Sequence, residues 1–107
     1  MTSSTVACKL TDPELRARRE TVLADFRAEQ LEARPVEGVG YEGWAFSFAP
    51  GAQRLAALAE LMDLERECCP FLTMRLRIEP DGGPVWIVLT GPAGTRQLLD
   101  HELRFVR

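Results

Sequence analysis

The residue types best suited to chemistry lie in one short stretch, residues 65–71, which reads Glu-Arg-Glu-Cys-Cys-Pro-Phe. It holds Cys68 and Cys69, two of the three cysteines of the chain, and Glu65 precedes them by one helical turn. Side chains three and four residues apart meet on a helix surface, so the carboxylate and both sulfurs can come together. Thiolate sulfur and carboxylate oxygen bind divalent metal ions, and two or three thiolates suit soft ions of low coordination number.

The stretch therefore predicts a thiophilic metal site, and a protein that binds or senses Cu(I), Zn(II) or Hg(II). Cys68 and Cys69 are the expected primary ligands, and Glu65 is either a ligand or a group that supports one. Cys8 is the expected third sulfur donor, provided that the N-terminal segment lies beside the end of the second helix.

The position of Glu65 on its helix is the most informative feature of the sequence. At about 100° per residue, the stripe expected to face the core contains Leu55, Leu58, Met62 and Cys69, with Leu61, Leu64 and Cys68 on its flank. Glu65 falls inside this apolar arc, where a carboxylate must be paired, protonated or bound to a cation. Three explanations fit: a metal ion, proton chemistry on a thiol, or a buried ion pair with Arg19 on the facing stripe of the first helix.

Two other functions fit the same residues. The first is a small thiol-dependent enzyme, such as a reductase or a detoxifying transferase, that acts through Cys68 or Cys69. The negative end of the helix dipole disfavours an unassisted thiolate there, whereas a metal ion would supply the missing positive charge. The second is a non-catalytic dimerisation module whose cysteines are small buried hydrophobes. In that module Trp44 and Trp86 could serve a homodimer, especially if Trp86 lies on an open sheet face.

Hydrophobic periodicity predicts one domain over residues 1–107, with residues 1–10 as an N-terminal arm or short strand. Thr11 is the expected N-cap of a first helix over residues 12–30. The remaining elements are strands at 31–34 and 41–48, a helix at 51–69, strands at 71–80 and 85–89, and a helix at 93–103. The order α-β-β-α-β-β-α predicts an α+β two-layer sandwich, with a four-stranded, mainly antiparallel sheet and helices on one face. The pattern leaves the strand order open.

Composition limits the partners. The net charge of −3 and the pI near 5.2 argue against nucleic acid and anionic membranes, which attract positive surfaces. The chain contains no apolar run of about 20 residues and begins with no signal-peptide pattern, so a cytoplasmic location is expected. Thiols are the usual state of cysteine in that compartment, and three cysteines fit no closed disulfide framework.

Several motifs resemble those of a family of small, largely uncharacterised bacterial proteins of about this length. They are residues 65–72 (ERECCPFL), the Gly83-Pro84 step before a strand, the Gly-Pro-Ala-Gly turn at residues 91–94, and Cys8 shortly before Leu10-Thr11. The resemblance covers nearly the whole chain. It implies an association with heavy-metal-resistance regulators and no established activity.

Overall fold

The computed structural model describes residues 6–7 and 9–105. Helix α1 (Pro13–Glu29) precedes strands β1 (Glu32–Gly38) and β2 (Tyr41–Phe48). Helix α2 (Ala52–Cys68) precedes strands β3 (Thr73–Ile78) and β4 (Val85–Gly91), and α3 (Thr95–Leu103) follows. This order confirms the predicted α+β sandwich.

The four strands form one antiparallel sheet in the order β1-β2-β4-β3, so the two hairpins meet along β2 and β4. Phe46 of β2 lies opposite both Ala33 and Ile87, and Leu76 of the edge strand β3 also lies opposite Ile87. The register was not predictable, because pairing of β2 with β4 depends on contacts between residues about forty positions apart. Pro35 lies within β1, which is an edge strand, where a missing N–H is tolerated.

The core lies between one face of the sheet and the three helices. Phe46, Phe48 and Ile87 of the sheet are at most 1% exposed. They pack with buried residues of the helices, Leu23, Phe26, Leu58, Leu61, Leu99 and Leu103, and with Phe105. The rings of Phe26 and Phe48 meet edge to face with centroids 5.0 Å apart, which is a geometry that aromatic pairs prefer.

Two local predictions need correction. The N-cap of α1 is Asp12 and not Thr11, since its carboxylate accepts hydrogen bonds from the backbone N–H groups of Glu14 and Leu15. The face of α2 that is buried carries Leu58, Leu61, Leu64, Glu65 and Cys68, while Leu55 and Met62 are half-buried. The buried face is thus centred on Leu61, Leu64 and Cys68, which were predicted to lie on its flank. Residues 6–7 and 9–10, which belong to the predicted N-terminal arm or short strand, are not in a strand.

The opposite face of the sheet carries Trp86, which alternates with the buried Val85 and Ile87. Within the described residues no helix is long and apolar enough to cross a bilayer.

Candidate functional site

The predicted site lies where α2 ends and the chain turns toward β3. Cys68 is the last residue of α2 and Cys69 is its C-cap; both are completely buried. They form a second apolar cluster with Leu10, and Leu15, Phe71 and Leu98 pack around it. Burial of both sulfurs follows from Pro70, which ends the helix and turns the chain so that Phe71 and Leu72 close over them.

Backbone hydrogen bonds connect the N-terminal segment to this helix end. The N–H of Lys9 donates to the carbonyl of Cys68 at 2.7 Å, and the N–H of Leu72 donates to the carbonyl of Cys69 at 3.1 Å. Carbonyls in the last turn of a helix have no partner within it, so these two donors satisfy groups that would otherwise be unpaired. Lys9 therefore lies beside the end of α2, which is the arrangement that a third sulfur donor from the N-terminal segment would require. Cys8 itself lies outside the described residues.

Glu65 is completely buried and both of its oxygens bind Arg19 of α1. The Nε–Oε1 distance is 2.7 Å and the Nη2–Oε2 distance is 3.3 Å. Arg19 also donates to Glu102 of α3 at 3.2 Å. The ion pair with Arg19, one of the three explanations for Glu65, is confirmed; metal ligation by Glu65 stays a prediction and would require an oxygen to leave the guanidinium.

Two carboxylates share one guanidinium in this cluster, so its formal charge is −1. Burial opposes the charge on Arg19, but the hydrogen bond and charge of Glu65 outweigh that effect and raise the pKa of Arg19. Sequence reasoning missed Glu102, because α3 is remote in the chain and its contact with Arg19 depends on the tertiary packing.

Cys69 is a free thiol with little tendency to ionise. Burial, followed by the charge of Glu65, raises the pKa of Cys69 to about 12, and a hydrogen bond with Glu65 acts in the same direction. The positive charge of Arg19 opposes these effects without cancelling them. Cys69 is therefore a protonated, shielded thiol at neutral pH, which is the opposite of the low-pKa environment that activates a nucleophilic cysteine.

Cys68 takes part in a disulfide. This corrects the expectation that all three cysteines are thiols, which depended on the inferred compartment and on the odd cysteine count. Among residues 6–7 and 9–105, no group of three or more His, Cys, Asp or Glu side chains is placed to hold a metal ion. Binding of a soft ion by Cys68 and Cys69 stays a prediction, and it would require the disulfide at Cys68 to be reduced first.

A cavity of about 440 Å³ opens beside the charged cluster. Arg19, Glu102, His101 and Leu10 contribute to its lining, and Leu10 also packs against both cysteines. Leu10 therefore belongs both to the sulfur cluster and to the lining of the cavity beside the ion pair. His101 is exposed.

Comparison with known proteins found no matching family model, no matching curated protein and no matching solved structure.

Proposed function

We propose that this protein binds a thiophilic metal ion through Cys68 and Cys69 in their reduced state, with Cys8 as a third sulfur donor. The observation that carries the proposal is the 2.7 Å backbone hydrogen bond from Lys9 to Cys68, which brings the N-terminal segment to the helix end where both cysteines lie. Adjacent cysteines rarely satisfy a tetrahedral ion alone, so an ion that accepts two or three thiolates, such as Cu(I) or Hg(II), fits best.

The electrostatics of the cluster support a cation beside Cys69. Glu65 and Glu102 carry two negative charges against the single positive charge of Arg19. The surplus negative charge that helps to hold a proton on Cys69 also favours a metal cation in the same position. A bound ion would replace that proton and would offset the unfavourable helix dipole at the end of α2.

The same features weigh against a thiol-dependent enzyme. A nucleophilic cysteine works as the thiolate, and Cys69 stays protonated because of burial and Glu65. Cys68 is engaged in a disulfide. Metal binding is the better proposal because the ion itself supplies the driving force for deprotonation.

Titration of the reduced, oxygen-free protein with Cu(I) against a chromophoric chelator tests the proposal. We expect one ion per chain, and a loss of affinity of about 100-fold or more for Cys68→Ser and for Cys69→Ser. Cys8→Ser reports the third donor, because a two-sulfur site would leave its affinity unchanged. Ultraviolet absorption from sulfur-to-metal charge transfer gives a second readout. Equal affinity of the wild type and the Cys68→Ser/Cys69→Ser variant would end the proposal.

The experiment also separates metal binding from simple packing. If the cysteines only fill space, Cys69→Ser lowers stability without changing the metal titration. The folded state of each variant is checked by circular dichroism before the affinities are compared.

A further inference from the structure

The outer face of the sheet holds a second candidate site, remote from the cysteines. The three helices pack on the inner face, and in the described part of the chain no helix covers the outer one. A cavity of about 340 Å³ lies on this face. Six of the residues that line it are Arg34, Val36, Ala45, Arg77, Trp86 and Val88. They come from all four strands, so the sheet itself fixes their relative positions.

Small residues of β2 lie on the outer face of the sheet, and one of them, Ala45, lines this cavity. Gly43, Ala45 and Ser47 alternate along the outer face, and Ala45 and Ser47 are only 8% and 2% exposed. Ser47 lies in register between Glu32 of β1 and Trp86 of β4, so these larger neighbours cover it. A large ring beside small residues gives a flat apolar platform.

Trp86 is half-buried, and the guanidinium of Arg34 lies 4.9 Å from the centroid of its ring. This distance is within the range of a cation–π contact, and a planar guanidinium stacks well on an indole. The pair offers two flat surfaces of the kind on which an aromatic ligand ring can stack.

Positive charge is concentrated on this face although the whole chain is acidic. Arg34, Arg75 and Arg77 all project from it, against Glu32 on the same face and Glu79 at the end of β3. Arg34 pairs with Glu32, and Arg77 pairs with Glu79 at 2.7 Å, but Arg34 and Arg77 are exposed. Exposed ion pairs are weak, so an anionic ligand can compete with these glutamates.

We propose that the outer sheet face binds a small organic anion with a planar aromatic ring, of the size of a nucleoside monophosphate. The ring would stack on Trp86 and Arg34, and the anionic group would bind Arg77. The cavity volume is at the lower end of the range for small-molecule sites, which suits one mononucleotide.

A second copy of the chain fits this face less well. A two-fold contact would bring both copies of Arg34, Arg75 and Arg77 into one interface. Like charges brought together during desolvation oppose association, whereas an anion is attracted by all three arginines.

Equilibrium dialysis of the wild-type chain with AMP tests the proposal. We expect saturable binding with a Kd below about 1 mM, and binding at least about tenfold weaker for adenosine and for inorganic phosphate. Adenosine retains the ring without the charge, and phosphate retains the charge without the ring. A short oligo(dA) distinguishes the source of the ligand: tighter binding than AMP assigns the face to a nucleic-acid strand, and equal or weaker binding assigns it to the free nucleotide.

Trp86→Leu and Arg77→Gln should each weaken AMP binding about tenfold or more. The matched control is Arg66→Gln, which removes another exposed arginine from α2 and should change nothing. Fluorescence of Trp86 in the Trp44→Phe variant gives an independent readout at the platform itself. Absence of saturation, equal binding of AMP and adenosine, or a dimer that Trp86→Leu dissociates and AMP does not would each overturn the proposal.

Discussion

Arg19 of α1 and Glu65 of α2 form a buried, two-pronged ion pair, with Nε–Oε1 and Nη2–Oε2 distances of 2.7 and 3.3 Å. The pair joins α1 to α2 near the end of α2, where Cys69 interacts with Glu65. Glu102 adds a third helix to the network. The network of Arg19, Glu65 and Glu102 therefore links all three helices around the end of α2.

Removing one partner of this pair should be far more damaging than removing both. Arg19→Met leaves the carboxylate of Glu65 buried without a counter-charge, and we expect a loss of about 3–5 kcal/mol in the free energy of unfolding. Arg19→Met/Glu65→Met exchanges two buried charges for apolar volume and should recover most of that loss. Urea unfolding of Arg19→Met, Glu65→Met and the double variant measures the coupling free energy between the two side chains.

The exposed pair of Arg66 and Asp63, at 2.6 Å, provides the control. Arg66→Met should change the free energy of unfolding by less than about 1 kcal/mol, because solvent screens that pair. If Arg19→Met proved no more harmful than Arg66→Met, the buried pair would have no special part in holding the helices together.

The disulfide at Cys68 should make stability depend on the redox state. A disulfide restricts the unfolded chain, so a reductant should lower the free energy of unfolding by about 2–4 kcal/mol. Thermal unfolding with and without a non-thiol phosphine reductant measures the difference. Cys68→Ser should be insensitive to the reductant, whereas Cys69→Ser should respond as the wild type does. A wild-type midpoint that does not shift on reduction would contradict this expectation.

Much of the fold follows from sequence periodicity. Alternation predicted β2 at residues 41–48, which are its bounds in the structure, and the ends of α2 were predicted to within one residue. The ion pair was also among the predictions, since Arg19 and Glu65 each interrupt an apolar stripe, and a buried charge needs a partner. Local pattern and burial chemistry were sufficient for these features.

The rest depends on contacts that local patterns do not encode. The strand order requires the pairing of β2 with β4. The buried face of α2 is centred on Leu58, Leu61 and Leu64, because packing on the sheet and α1 decides the rotation of a helix whose apolar arc is wide. The disulfide at Cys68 was missed because the rules that relate cysteine count and compartment to redox state describe only the average over many proteins.

Stability should fall at high pH because of Cys69. The pKa of Cys69 is about 12 in the folded chain and about 9 in the unfolded chain, so the folded state holds the thiol proton more tightly. The stabilisation is fully present below pH 9 and is lost as the pH rises toward 12. With solvent screening taken into account, we expect roughly 2 kcal/mol to be lost in this range.

The Cys69→Ala variant is the control for other groups that titrate at high pH. It should be less stable at pH 7 because a buried sulfur is removed, but it should lose less stability than the wild type between pH 9 and 11. Urea unfolding at several pH values gives the pH dependence of the free energy of unfolding for both proteins. Parallel curves for the two proteins would show that Cys69 ionises as readily when folded as when unfolded.

Gly43 is required where β2 passes β4. A Cβ atom at this position would overlap the backbone carbonyl of Leu89 and crowd the Cα of Thr90, and neither can move without breaking the pairing of the two central strands. Gly43→Ala should therefore lower the free energy of unfolding by at least about 2 kcal/mol. Gly40 is the matched control, since its φ of +81° is strained for alanine but its Cβ would meet nothing within 4 Å. Gly40→Ala should cost about 1 kcal/mol from backbone strain alone. Denaturant unfolding ranks the two variants, and a larger loss for Gly40→Ala would mean that the central strands are less tightly apposed than their register indicates.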